Sequence, residues 1–347
     1  MIDAPLLPLL VAAASSAVGV WLLRRAAAGL PSDVPNARSL HAAPVPRAGG
    51  YAVWLGFLPV ALLSPPDFPG GLLGWVPPWL ALVAVSGCDD ARGVGVKTRL
   101  AVHGLAALWA GAALALAAAD GNDWPQVVFT TGCLALVLAW SANLYNFMDG
   151  TDGLAGTMAA TGFATYAIAE LAADGQDAAM GGSAPAFAAL AAAIVPFLVV
   201  NWPRATMFLG DVGAVPLGFL AAAFGAAGVV QGTWPAWFPL LVFLPFIADA
   251  TLTLAQRVRR RERLWEGHRG HYYQRLAQLG AGHRGTLATY AALMAGTAVT
   301  ALACRFRAPD AGWWALAAWC VVDIMLFAAI DYHWRKKTNV PAPDWPR

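Results

Sequence analysis

Apolar residues run in long blocks separated by short polar stretches. The blocks cover roughly 5–24, 48–66, 72–88, 100–119, 125–142, 154–172, 184–200, 213–230, 234–255, 285–304 and 312–333. Most approach the ~20 apolar residues that a helix needs to cross a bilayer. The pattern predicts eleven membrane-spanning helices and no sheet, so the fold class is an all-α, polytopic integral membrane protein. The third and fifth blocks are short or interrupted by Pro. No internal repeat or low-complexity linker divides residues 1–347, which read as one membrane-embedded domain. Arg24-Arg25 follow the first apolar block, whereas a secretory signal carries its positive charge ahead of it. The first span is therefore expected to be retained.

Composition narrows the class. The chain is 59% hydrophobic and 12% charged, against ~45–50% and ~25% for a soluble domain. That excludes a soluble globular enzyme and any disordered or fibrous protein. A net charge of +2 gives no reason to expect a nucleic-acid partner. The four cysteines, Cys88, Cys133, Cys304 and Cys320, have no CxxC pair and no nearby His, and read as buried apolar thiols.

Charge position sets the orientation. With the N-terminus outside, the inner segments are 24–47, 88–99, 143–153, 201–212, 256–284 and the tail after 333, and they hold 20 of the 22 Lys and Arg. Cytoplasmic loops carry this excess, so the C-terminus and the polar machinery are expected on the cytoplasmic side. Trp75, Trp124, Trp234, Trp237, Trp313, Trp314 and Trp334 fall near block ends and suggest an aromatic belt. The outer loops are too short for an external domain.

The inner segments carry the candidate chemistry. The second begins with Asp89-Asp90, adjacent carboxylates that need a cation or protons nearby; a solvated loop is the plain alternative. The third reads NLYNFMDGTDG. If helical, Asn143, Asn146, Asp149 and Asp152 recur on one face, and such oxygen ligands suit a hard cation such as Mg²⁺. The fourth contains Asn201-Trp-Pro203 and FLGDVG. Its Gly-Asp-x-Gly turn opens a helix whose N–H groups would favour phosphate, with Asp211 as a simple N-cap the alternative. The fifth carries Arg259-Arg260-Arg261, a topological anchor. It then reads His268-Arg269-Gly270-His271, whose imidazoles and guanidinium can wrap a pyrophosphate. The first contributes PVPRAGG, with Arg47 and a glycine pair, by itself only a turn. Carboxylates, a metal and basic groups are the parts of a phosphoryl-transfer site. Asp249 sits near the cytoplasmic end of the ninth block, close enough to serve the site, and Asp323 near the middle of the last; neither receives a role, although an intramembrane acid is a functional candidate by default.

These motifs, in this order, resemble the polyprenyl-phosphate N-acetylhexosamine-1-phosphate transferases (glycosyltransferase family 4), over nearly the whole chain. That family includes the phospho-MurNAc-pentapeptide translocases and the undecaprenyl-phosphate GlcNAc-1-phosphate transferases. The resemblance implies transfer of an N-acetylhexosamine 1-phosphate from a UDP-sugar to undecaprenyl phosphate, with release of UMP. It implies catalytic roles for Asp89, Asp90, Asp149, Asp152, Asp211, His268 and His271. It also implies substrate contacts from Arg47, Lys97, Asn143, Asn146, Asn201 and Arg269, and Mg²⁺ (or Mn²⁺) held by Asp211 and Asn146. The implied setting is the bacterial inner membrane, with the lipid bilayer and a homodimer as further partners. Relatives often have a third acid where this chain has Gly93. The three-His run of the pentapeptide translocases is absent, and HRGHYYQRL is closer to the branch that starts O-antigen or similar surface polysaccharide. A pentapeptide transferase is the alternative. A transporter or flippase would place ionisable groups at the midplane, often in inverted repeats; a CDP-alcohol phosphotransferase would need an Asp/Gly/Arg spacing this chain lacks.

Overall fold

Helices occupy every apolar block, because only hydrogen bonding within the segment satisfies the backbone in hydrocarbon without a closed barrel. The computed structural model describes residues 6–35, 43–119, 123–171, 182–263 and 269–338. The helices are α1 (Leu6–Arg25), α2 (Gly49–Leu63), α3 (Leu72–Arg92), α4 (Val96–Ala118), α5 (Trp124–Phe147), α6 (Leu154–Leu171), α7 (Ala184–Asn201), α8 (Asp211–Val230), α9 (Trp237–Val242), α10 (Leu244–Arg259), α11 (Tyr272–Leu276), α12 (Gly282–Arg307) and α13 (Gly312–Thr338). A two-residue antiparallel ladder, β1 (Ser32–Asp33) with β2 (Val45–Pro46), is the one sheet among the described residues.

The interrupted third and fifth blocks are full helices of 21 and 24 residues. Proline inside a helix leaves the carbonyl four residues earlier without its donor, and tryptophans replace that donor. Pro77 frees the Leu73 carbonyl, which accepts from Trp109 Nε1 at 2.8 Å. Pro216 of α8 frees the Val212 carbonyl, which accepts from Trp54 Nε1 at 2.8 Å. The ninth block departs from expectation. It is two helices, α9 and α10, that meet at Phe243 (φ −99°, ψ 10°). Pro245 has no N–H to return to Leu241 and sits in the first turn of α10, where proline is well suited to a new helix start.

Eight helical stretches among the described residues are long and apolar enough to cross a membrane, fewer than the eleven expected. Helix α2 has 15 residues, α6 carries Thr157, Thr161, Thr165 and Glu170, and the ninth block is broken. Helix α8 is the most enclosed and α13 the least. Leucines on α1 and bulky apolar residues on α13 face outward, as lipid-facing surfaces do.

Three expected belt tryptophans are instead core. Trp75, Trp234 and Trp237 are buried. Trp75 packs on Phe57, Trp79 and Phe224, and Trp234 stacks on Tyr166 while donating to the Gly225 carbonyl. Trp124, Trp313 and Trp314 remain exposed near helix starts. Cys304 is buried, but Cys88 and Cys133 are exposed on α3 and α5. Asp323 is 1% exposed, and its carboxylate has no hydrogen-bond partner among the described residues.

Alternation along the chain gathers the polar ends. Helices α3, α5 and α7 finish, and α2, α4, α6 and α8 begin, at the same end of the bundle. The connections 26–48, 93–95, 148–153 and 202–210 therefore meet there.

Candidate active site at one end of the bundle

PVPRAGG is more than a turn. The Phe208 amide donates to the Pro46 carbonyl (2.8 Å), and the Gly49 and Gly50 amides donate to Phe208 and Leu209 carbonyls (both 2.9 Å). A Cβ on Gly50 would lie 2.5 Å from Gly213 Cα and N. Only a glycine lets α2 start against the first turn of α8, which fixes Arg47 beside that turn.

Asp90 controls the same turn from α3. Its Oδ1 and Oδ2 accept the Asp211 and Val212 amides at 3.2 and 2.9 Å, and its side chain is 2% exposed. The α8 N-terminus was expected to offer these amides to phosphate. They are taken, because the Asp90 carboxylate is an anion already seated at the helix end. Arg47 Nη1 lies 4.0 Å from Asp90 Oδ1, and Arg47 Nη2 lies 2.7 Å from Asp33 Oδ1. Burial opposes the Arg47 charge, yet Asp33, Asp211 and Asp90 together hold the guanidinium above its ordinary pKa.

Asp89 points elsewhere. Its Oδ1 accepts the Val94 amide at 2.6 Å, and its Oδ2 pairs with Arg99 Nη1. The same nitrogen lies 3.3 Å from Asp211 Oδ2, so Arg99 bridges the two acids. Asn146, at the end of α5, faces Asp211. The sequence motif points to Lys97 and not to Arg99; Lys97 is exposed and holds none of these acids. A signal existed, since an arginine in the opening turns of an apolar helix works against the helix dipole unless an acid answers it.

The expected helical stripe is interrupted, because α5 stops at Phe147. Asn143 lies one turn back and donates to the Ala139 carbonyl (2.7 Å). Asp149 and Asp152 lie in the turn beyond. Burial first, then the charges of Asp211, Asp90 and Asp152, raises the Asp149 pKa well above the carboxylate range, against the pull of Arg47. Asp152 Oδ2 accepts the Ala205 amide (3.1 Å), and its Oδ1 lies 3.3 Å from His283 Nδ1. Asn201 is buried. Its Oδ1 accepts the Gly153 amide and its Nδ2 donates to the Met207 carbonyl, both at 2.9 Å. Its amide thus ties two loops together, which makes it a positioning group.

The His loop docks on the other side of the α5 end. His271 is buried between Phe147 and Tyr273, with ring centroids 5.9 and 5.8 Å away. The Tyr273 hydroxyl donates to the Phe147 carbonyl at 2.9 Å. Phe147 follows Asn146 in the chain, so adjacent residues of α5 touch the acid cluster and the His loop. Arg269 is half-buried at the start of the loop; His268 lies outside the described residues.

No group of three or more His, Cys, Asp or Glu side chains among the described residues is placed to cage a metal. Mg²⁺ needs no such cage, because it is usually held by one or two carboxylates with waters and substrate phosphates. The Asp211 carboxylate and the Asn146 amide, facing one another near Asp89, fit that donor chemistry.

Known proteins match this arrangement along the chain. The family described as glycosyl transferase family 4 matches residues 72–229. A decaprenyl-phosphate N-acetylglucosaminephosphotransferase of Mycobacterium leprae is 29% identical over 307 residues, covering 78% of this chain and 75% of its own. A probable undecaprenyl-phosphate N-acetylglucosaminyl 1-phosphate transferase of Bacillus subtilis is 24% identical, covering 73% of this chain and 71% of its own. A phospho-N-acetylmuramoyl-pentapeptide-transferase of Picosynechococcus is 28% identical, covering 72% and 71%. The matched span runs from α3 to α8 and holds Asp89, Asp90, Arg99, Asn146 and Asp211, so the residues that build the acid cluster lie within the stretch that is similar to glycosyl transferase family 4.

Proposed function

We propose that the protein transfers an N-acetylhexosamine 1-phosphate from a UDP-sugar to a polyprenyl phosphate such as undecaprenyl phosphate, releasing UMP. The observation that carries this reading is the convergence of Asp89, Asp90, Asp211 and Asn146 with Arg47 and Arg99 at one end of an apolar bundle. A polyprenyl tail can stay in hydrocarbon while its phosphate reaches that end.

In the proposed step an oxygen of the lipid phosphate bonds to the β-phosphorus of the UDP-sugar. The bond from that phosphorus to the bridging oxygen breaks, and UMP leaves with the electron pair. Bound Mg²⁺, on Asp211 and Asn146, would neutralise diphosphate charge. Arg47, its side chain 38% exposed beside its Asp33 partner, would meet a phosphate. Asp89 orients or deprotonates the lipid phosphate; a phosphate monoester has its second pKa near ~6, so little base strength is required. His271 and Arg269 handle the diphosphate from the other side of α5. The names of the relatives favour N-acetylglucosamine, and the Picosynechococcus relative makes a MurNAc-pentapeptide donor the second to test.

The bond that breaks separates this reaction from ordinary glycosyl transfer, which releases UDP. With the β-phosphate of the UDP-sugar labelled, label should enter the lipid, with UMP as co-product. Label retained in UDP would refute the proposal.

The same reading places the site on the cytoplasmic face of the bacterial inner membrane, the N-terminus outside, on the 20-to-2 division of Lys and Arg. A reporter fused after Arg347 should read cytoplasmic and one within 174–182 external. Both on one side would overturn this orientation.

A further inference from the structure

We infer that Asp249 is the positioning residue for His271, an inference that rests on the reading of the His loop as part of the transferase site. Asp249 is fully buried on α10. Its Oδ1 lies 3.3 Å from His271 Nδ1, and accepts the Tyr272 amide at 3.0 Å and the Thr253 hydroxyl at 3.1 Å. Its Oδ2 accepts the Tyr273 amide at 2.9 Å and the Tyr290 hydroxyl. Three consecutive residues, 271 to 273, thus hang from one carboxylate more than twenty positions earlier in the chain.

A buried carboxylate is costly unless its oxygens are satisfied, and here donors from α10, α11, α12 and the residue before α11 do so. The carboxylate in turn dictates the ring. Accepting from Nδ1 makes that nitrogen the donor and turns Nε2 to the far edge of the imidazole. The Phe147 and Tyr273 rings then hold its plane. Phe147 is covalently next to Asn146, so the imidazole is held in register with the residue that faces Asp211. The break between α9 and α10 belongs to the same design, because it lets α10 start afresh and bring Asp249 under the loop. Tyr272 stacks on Phe327 with centroids 4.2 Å apart, and Arg275 pairs with Asp331, bracing the loop from α13. None of those braces touches the His271 ring; its polar surroundings include the Asp249 carboxylate and the backbone of the α11 capping box, and of these Asp249 is the charged side chain.

The first test needs no change at Asp249. In uniformly ¹⁵N-histidine-labelled wild-type protein, the His271 signal is the one lost in His271→Ala. It should report a protonated Nδ1; an unprotonated Nδ1 would overturn the inference. The second uses Asp249→Asn, with Tyr290→Phe as a structural control that removes one donor to Asp249 but no contact to the ring. Diethyl pyrocarbonate modification of His271, read by mass spectrometry, should quicken severalfold in Asp249→Asn and stay unchanged in Tyr290→Phe. Asp249→Asn should raise KM for the UDP-sugar about 10-fold, the size typical of losing a supporting partner, and Asp249→Asn with His271→Ala should do no further harm than His271→Ala alone. Unchanged protection of His271, or additive losses, would refute positioning. If His271 is unlocked while His271→Ala itself leaves KM for the UDP-sugar unaltered, positioning stands and the diphosphate role of the loop falls.

Discussion

Asp211→Asn is expected to lower turnover by about 10³-fold, the loss seen when a group that stabilises transferring charge is removed, while the protein still accumulates and extracts as wild type. The two halves of that expectation come from different atoms of one residue. The backbone of Asp211 starts α8, and its amide is held by Asp90. Its carboxylate faces Asn146 and Arg99 and is 23% exposed. An isosteric amide leaves the backbone contact intact. It removes the negative charge that a divalent cation and Arg99 both need, and presents an N–H₂ where an acceptor is required. Measured turnover with the labelled UDP-sugar, beside detergent extraction and thermal stability, separates the effects. Turnover near wild type, or wild-type activity that persists in excess chelator, would remove the metal role assigned to Asp211.

Much of this site was legible in the chain, and the reason is topological. Apolar blocks of helix length alternate direction, so motifs on every second connection must meet at one end. That placed Asp89, Asp90, Asn146, Asp152, Asn201 and Asp211 on the same side without any knowledge of their contacts. What the sequence hid was which group answers which. Asp89 and Asp90 are neighbours in the chain, yet one meets Arg99 and the other the α8 amides, because consecutive residues on a helix point about 100° apart. Asn201 reads as a substrate ligand, but its loop needs a staple and takes both ends of the amide. The helical stripe of NLYNFMDGTDG assumed an unbroken helix. The chain leaves the helix at Met148, and a glycine with φ 75° at Gly153 turns it into α6, an arrangement that periodicity cannot signal. Asp249 was legible as an acid within reach of the site but not as the anchor of the His loop, because its partners lie up to 41 residues away.

Asp90→Ala is expected to destabilise the fold as well as silence the enzyme, in contrast to Asp89→Ala next to it. The Asp90 side chain is 2% exposed and accepts two amides at the start of the most enclosed helix. Removing it strands both donors, at about 1–3 kcal/mol for each buried group left unsatisfied. No other carboxylate can take its place, because Asp89 is committed to Val94 and Arg99. The loosened turn is also the one that Gly50 packs against, so α2 and Arg47 lose their seat along with Asp211. Asp90→Asn should fall between, since one oxygen still accepts while the amide N–H₂ opposes the second donor. Asp89→Ala frees Arg99 and the Val94 amide near the surface, where water can replace the lost partners. It should therefore lose turnover with little change in melting temperature. The comparison is a thermal melt of the three variants in one detergent, alongside turnover. A melt of Asp90→Ala that matches wild type would mean that the α8 amides are held by something other than this carboxylate.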